Sequence, residues 1–198
     1  MDAAEGLVLE YGFSGTTVNA VIQEAGVTKG AFFHHFESKI DLGHALVERY
    51  AELDTRHLLR TLARAEGLSR DPLQQVLIFI GLLKEEMGEL VEPFPGCLFA
   101  AYCYQAQLFD DETIEVARSA IRLWREKLEE KLHDAAALHN LSDDVDLAGL
   151  ADMLMTIFEG AFVLSKTLGD AALVARQLDH YRRYVELLFA APLPEEVA

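Results

Sequence analysis

Cysteine is nearly absent from this chain. Cys97 and Cys103 are its only two, and neither sits in a CxxC or other zinc-binding spacing. No disulfide framework is expected, and two free thiols fit a reducing, cytoplasmic compartment. Positive charge is also short, at 17 Lys and Arg against 33 Asp and Glu, for a net charge of −16. That balance argues against nonspecific attachment to nucleic acid or to a membrane surface, both of which want a basic face. No uninterrupted apolar run reaches the ~18 residues that span a bilayer. The N-terminus has no basic segment followed by an apolar stretch, so no signal peptide is expected. Runs of alternating β-branched residues, internal repeats and low-complexity tracts are missing too. The seven histidines (His34, His35, His44, His57, His133, His139 and His180) show no tight ligand spacing such as HExxH. With no glycine-rich phosphate loop, nucleophile elbow or supported carboxylate pair, the expectation is no metal, no cofactor and no enzyme.

What is present is apolar and helical. Hydrophobic residues make up 51% of the 198, enough for a substantial core. Turn signals at 12–15, 26, 70–72, 92–96, 141–144 and 169–170 cut the chain into helical blocks. The blocks are 2–11, ending at Gly12; 18–25, capped by Thr17; 28–36; and 38–65, capped by Ser38. They continue with 72–90, Pro72 in its first turn; 97–108, apolar and aromatic; 111–137, amphipathic; 146–168, apolar nearly all round; and 171–190, amphipathic. The tail from Pro192 to Ala198 is expected to fray. The fold class is all-α, about nine helices, with a natural boundary inside the fourth helix. The expected domains are 1–45 and 46–198.

The informative stretch runs from Gly12 to Leu42. A helix of about eight residues meets a short turn holding Gly26 and then a second short helix, which is the grammar of a helix-turn-helix. Val18, Val21, Ile22, Ala25 and Val27 are expected to pack the two together. In the helix after the turn, Phe32 and Phe36 share one face, while Lys29 and Phe33 share another. If the first pair enters the core, Lys29, Gly30 and Phe33 point outward. In such a motif that outer face enters the major groove. Lys29 would reach guanine O6 or N7, Gly30 would let the backbone approach, and Phe33 would press on a thymine methyl or on sugar. Lys39 is placed to meet phosphate. The plainer alternative is a small helical subdomain whose surface happens to hold a lysine and an aromatic.

The same stretch resembles the TetR family signature. A threonine pair, Thr16 and Thr17, opens the second helix. A Gly-Val-Thr-Lys-Gly turn, residues 26–30, leads into an aromatic and histidine-rich helix with Phe33, His35 and Phe36. Ser38, Lys39 and Leu42 close the match. By that resemblance Thr17, Thr28, His35 and Lys39 would meet the DNA backbone, and Lys29, Gly30 and Phe33 would face bases. Three departures stand out. Phe33 replaces the usual tyrosine. Ala20 replaces an acidic residue that would complete a capping box. The start, Asp2-Ala-Ala-Glu, looks like the middle of the family's first helix, so that helix is expected to be truncated and the usual basic arm missing. Phosphate neutralisation drives affinity, and the acids Asp2, Glu5, Glu10, Glu24, Glu37, Asp41 and Glu48 outnumber Lys29, Lys39 and Arg49 over residues 1–50.

For the C-terminal part the resemblance implies an apolar effector pocket and dimerisation through the last two helices. Phe79, Cys97, Phe99, Tyr102, Trp124, Phe158 and Phe162 are the candidate lining, and ordinary core packing is their simpler use. Glu159 is the one acid in a long apolar run, expected to be paired or to face a cavity. Cys97 opens the sixth helix, where the dipole can activate a thiol; by the resemblance, some members of the family sense electrophiles or oxidants with a cysteine here, and Lys166 falls where a partner lysine would sit, while a buried, inert cysteine is the simpler alternative. The expected partners are double-stranded operator DNA, a small-molecule effector and a second copy joined through 146–168 and 171–190, with no membrane. The leading reading is an effector-released repressor. The alternatives are a helical small-molecule-binding protein without DNA binding and, third, an enzyme using Glu159 as a base.

Overall fold

The computed structural model describes residues 1–190; the tail expected to fray lies outside the described residues. Nine α-helices and one short 3₁₀ turn make up the described chain, and no strand occurs among the described residues. They are α1 (Asp2–Gly15), α2 (Val18–Ala25), α3 (Lys29–His35), α4 (Lys39–Leu68), α5 (Pro72–Gly88), α6 (Leu98–Cys103), the 3₁₀ turn Ala106–Leu108, α7 (Asp111–Leu138), α8 (Leu147–Leu168) and α9 (Leu173–Ala190). Two compact units share them. The first holds Met1–Arg56 and Pro95–Ile121, the second His57–Phe94 with Arg122 onward. A linear split near residue 45 does not show this return of the chain at Pro95.

The helix ends follow local chemistry. Asp71 accepts from the Gln74 N–H at 2.9 Å ahead of Pro72, and Asp146 accepts from the Gly149 N–H at 2.9 Å. α8 stops at Gly169, whose φ of 67° is the left-handed conformation that glycine adopts freely. In α1 the expected stop at Gly12 is a break rather than an end. Its φ of 73° interrupts the helix, and one more turn runs to Gly15. The sixth block differs more. A helix over 97–108 was expected, but α6 covers only Leu98–Cys103. Gln105 leaves helical geometry at φ −124°, ψ 26°, and its side chain accepts the Ser14 N–H at 3.0 Å.

Each unit buries its own core. In the first, Val8, Phe13, Phe32, Leu46, Phe99 and Tyr102 pack together. In the second, Leu58, Phe79, Ile80, Trp124, Leu154 and Leu178 do. Two phenols are buried and satisfied: Tyr102 donates to the Gly43 carbonyl at 2.6 Å, and Tyr181 to the Leu150 carbonyl at 2.7 Å. Burial pushes both phenol pKa values up.

The apolar, nearly all-round character of 146–168 implies burial on several sides of α8. Within one chain it buries a single stripe, through Leu150, Leu154, Phe158 and Ala161. Met153, Val163, Leu164 and Leu168 stay exposed. By length and composition α8 alone, among the described residues, would pass for a membrane span, with a mean hydropathy of 1.7 over its most apolar window. It carries Asp152, Glu159 and Lys166, however, and Arg125 of α7 pairs with Asp152 at 2.8 Å.

Candidate nucleic-acid interface

The site is built on two capped helices and the turn between them. Thr17 accepts the Ala20 N–H at 3.1 Å and opens α2. With Ala20 at the third helical position, no side chain returns a bond to the cap, so half of a capping box is missing. Gly26 ends α2 at φ 65°, ψ 29°, a left-handed conformation that lets the chain reverse within a few residues. Thr28 then accepts the Ala31 N–H at 3.1 Å and opens α3. Both threonine hydroxyls use their oxygen in the cap and keep their hydrogen free to donate outward.

α3 divides its faces as the spacing demands. Phe32 is 4% exposed, in the core with Phe36 at 5.6 Å between ring centroids. Its neighbour Phe33 is 46% exposed, and Lys29, Gly30 and Ala31 are exposed with it. The Lys29 ammonium lies 5.9 Å from the Phe33 ring centre, so the cation and the ring form one outward patch. His34 and His35 are exposed as well, their rings 5.2 Å apart. The expected packing between α2 and α3 is only partly realised. Val21 is buried and Val18 and Ile22 partly so, but Ala25 and Val27 are exposed because the turn at Gly26 carries them to the outer side.

Three bases lie in residues 1–50, and the structure gives each a different place. Arg49 pairs with Asp2, and that guanidinium holds the Asp2 carboxyl below its usual range. Lys39, in the first turn of α4, rests its ammonium 4.4 Å from the centre of the Phe13 ring, and burial lowers its pKa. Lys29 alone of the three projects from the outer face of α3. Ser38 caps α4 by accepting the Asp41 N–H at 3.0 Å, and Asp41 returns by accepting the Glu37 N–H at 2.9 Å. That carboxylate is therefore occupied within the motif. The seat of Lys39 on Phe13 carried no signal in the sequence, because the two residues are brought together only by tertiary packing.

The candidate effector residues fall into two groups. Phe79, Trp124, Phe158 and Phe162 form a connected run of rings in the second unit, at 6.0, 6.4 and 5.6 Å between successive centroids, and Phe94 extends it at 4.8 Å. Cys97, Phe99 and Tyr102 belong to the first unit, where Phe99 meets Tyr50 at 4.9 Å and Cys97 precedes α6 as its partly buried N-cap. The second unit also holds a polar cleft that the sequence reading missed. It measures about 380 Å³ and runs between His57, Arg60, Thr61 and Arg64 of α4 and Leu82, Glu85 and Glu86 of α5, with Glu89 just past its end. His57 lies 3.3 Å from Glu86 there, and its ring is 6.4 Å from that of Trp124. No group of three or more metal-ligating side chains occurs among the described residues.

Known proteins resemble both parts of the chain. Residues 1–46 match the family described as bacterial regulatory proteins, tetR family, and residues 87–181 match the tetracyclin repressor-like C-terminal domain. The transcriptional regulator AcuR of Cereibacter sphaeroides is 30% identical over 160 residues, covering 79% of this chain and 70% of the relative. The HTH-type transcriptional repressor DhaR of a Mycobacterium species is 23% identical over 190 residues, 94% of this chain and 86% of the relative. A crystal structure of a TetR family transcriptional regulator from Agrobacterium tumefaciens superposes with a TM-score of 0.75 at 22% identity. The alignment covers 95% of this chain and 94% of that one.

Proposed function

The chain belongs to the TetR family of bacterial transcription regulators and is no enzyme, and on that premise we propose that it binds a palindromic operator as a homodimer and releases it when a small apolar or electrophilic effector binds. The outward patch on α3 carries the reading. Lys29, Gly30 and Phe33 stand clear of the core on a helix fixed by two threonine caps and a left-handed glycine, the arrangement that presents side chains to a major groove. Thr17, Thr28, His35 and Lys39 flank it as phosphate contacts. Residues 1–45 serve DNA and 46–198 serve effector and dimer. A chain of net charge −16 gains little from a general attraction to DNA, so its affinity must come from these few contacts. Its place of action is the cytoplasm, with the chromosome.

The dimer would form through α8 and α9, whose exposed Val163, Leu164, Leu168 and Leu187 are an apolar surface in search of a partner. The operator half-sites would then lie about 34–36 Å apart, one DNA turn. The effector would meet the ring run of Phe79, Trp124, Phe158 and Phe162 within the second unit; Cys97, Phe99 and Tyr102, within the first unit, are a separate candidate site. The name of the DhaR relative, a repressor, supports repression as the direction of control.

The test is selection of genomic DNA fragments on the purified protein at low salt, followed by sequencing. A recurring palindrome whose affinity falls steeply with salt supports the proposal. Absence of any enriched fragment, with effector binding retained, overturns it in favour of a small-molecule-binding protein without DNA function. Effector binding has a built-in probe, because Trp124 is the single tryptophan and sits within the ring run. A ligand there changes its emission; a ligand that binds without changing it lies elsewhere.

A further inference from the structure

Lys39 sits where three aromatic rings of the first unit decide its position. Its ammonium rests on the face of Phe13, and Phe13 is buried to 3% exposure. The Phe13 ring meets Phe109 at 4.6 Å and Tyr102 at 6.0 Å, and those two stack on each other at 4.3 Å and 14°. Gly43, one helical turn after Lys39, closes the arrangement. A Cβ there would fall 2.8 Å from Phe13 Cε2 and 3.1 Å from Phe109 Cε1, and the Gly43 carbonyl accepts the Tyr102 hydroxyl. The ring is held on several sides, so the mobile lysine adapts to the ring and not the reverse.

An aromatic face attracts a cation through its negative π cloud. The contact uses one side of an ammonium and leaves N–H groups on the other side to donate. A free lysine side chain is flexible and loses rotamer freedom when it is ordered against a phosphate. A lysine already parked on a ring has lost part of that freedom before DNA arrives.

We propose that Phe13 is a positioning residue for DNA binding: its ring holds the Lys39 ammonium ready for a backbone phosphate, and Phe109 and Tyr102 fix the ring. This rests on the reading of Lys39 as a phosphate contact. The rings do not touch DNA themselves. They couple the start of α4 to α6 and to Phe109, just ahead of α7, so any displacement of those segments would reach the phosphate contact through Phe13.

The test replaces Phe13, by site-specific incorporation, with mono-, di- and trifluorophenylalanine. Fluorine drains the π face while nearly preserving ring size. Affinity is read by fluorescence anisotropy on a duplex carrying the palindrome recovered from genomic fragments, at fixed salt, in the natural chain and in Lys39→Gln. With Lys39 present, affinity falls stepwise with fluorination, to about threefold weaker at the last step. In Lys39→Gln the series is flat. Phe109→Leu behaves likewise, weakening binding only where Lys39 is present. Equal losses in both backgrounds would make the ring a folding element only and overturn the proposal. A flat series in both backgrounds also overturns it; if Lys39→Gln still weakens binding and lowers the salt slope by about one, the phosphate reading survives. If Lys39→Gln changes neither quantity, Lys39 is not at the interface and both readings fail. Failure of the unsubstituted chain to bind any duplex defeats the DNA-binding reading before any substitution is made.

Discussion

The Tyr102 hydroxyl donates to the carbonyl of Gly43 at 2.6 Å, tying α6 to the turn of α4 that follows Lys39. At the same residue, the missing side chain leaves the room that the Phe13 and Phe109 rings fill. Gly43→Ala should therefore lower stability by about 1–3 kcal/mol, because the new methyl must push Phe13 and Phe109 out of a packed core. Tyr102→Phe should cost less, about 1 kcal/mol, because the hydroxyl is lost without a clash. Denaturant melts of the two variants check the order. A Gly43→Ala chain as stable as the parent would mean that the two rings have room to move.

Lys29→Ala should weaken operator binding by about 1–3 kcal/mol and relax sequence choice at one base pair in each half-site. Lys29 stands on the exposed face of α3, and its removal exposes no core. The thermal midpoint should stay where it is. Binding to the selected palindrome and to a variant changed at single positions separates the two effects. A uniform loss across all sequences would make Lys29 a phosphate contact, and the base-reading face would have to be placed elsewhere.

Acid should unfold the protein through carboxylates that are engaged in the native state. Asp71 is held below its ordinary 3.8 by the Gln74 N–H, with His139 assisting. Asp170 is held below it by the Arg176 guanidinium, and Asp179 by the Lys84 ammonium. A depressed native pKa adds stability that is fully present above the unfolded value. It is lost as pH falls through the native one. These groups therefore contribute nothing to any change between pH 7 and 5, and their loss begins below about pH 4. Asp179→Asn should lower the midpoint at neutral pH and flatten its fall in acid. Parallel acid curves for variant and parent would show that the Lys84 pair does not contribute.

Some of this was written plainly in the chain, and some was not. The caps at Thr17 and Ser38, the turn at Gly26 and the split between Phe32 and Phe33 are local matters of spacing and side-chain chemistry, legible without a structure; Thr28, read as the first residue of its helix, turned out to be its cap. The break after Cys103 was not legible. Ala100, Ala101 and Ala106 favour a continuous helix, and only the bond from Ser14 to Gln105, ninety-one residues apart, shows what holds the chain out of it. The seat of Lys39 on Phe13 is hidden for the same reason. The aromatic residues of the C-terminal part were visible as a set, but not their division into two cores, because the chain re-enters the first unit at Pro95.

The apolar surface of α8 and α9 should hold a second copy, and a single charge should break it. Val163, Leu164, Leu168 and Leu187 are each at least half exposed, which leaves a broad apolar area facing water in one chain. A charge at the centre of such an interface is left desolvated and unpaired in the dimer, while in the monomer it points into water. Leu164→Arg should accordingly shift the protein from dimer to monomer in sedimentation experiments with little loss of helix content by circular dichroism. Operator affinity should fall with it, because one recognition helix then reads only one half-site. The loss should shrink as protein concentration rises and the dimer re-forms. A variant that stays dimeric would place the interface on another face. A monomer that keeps full operator affinity would show that the two half-sites are not read together.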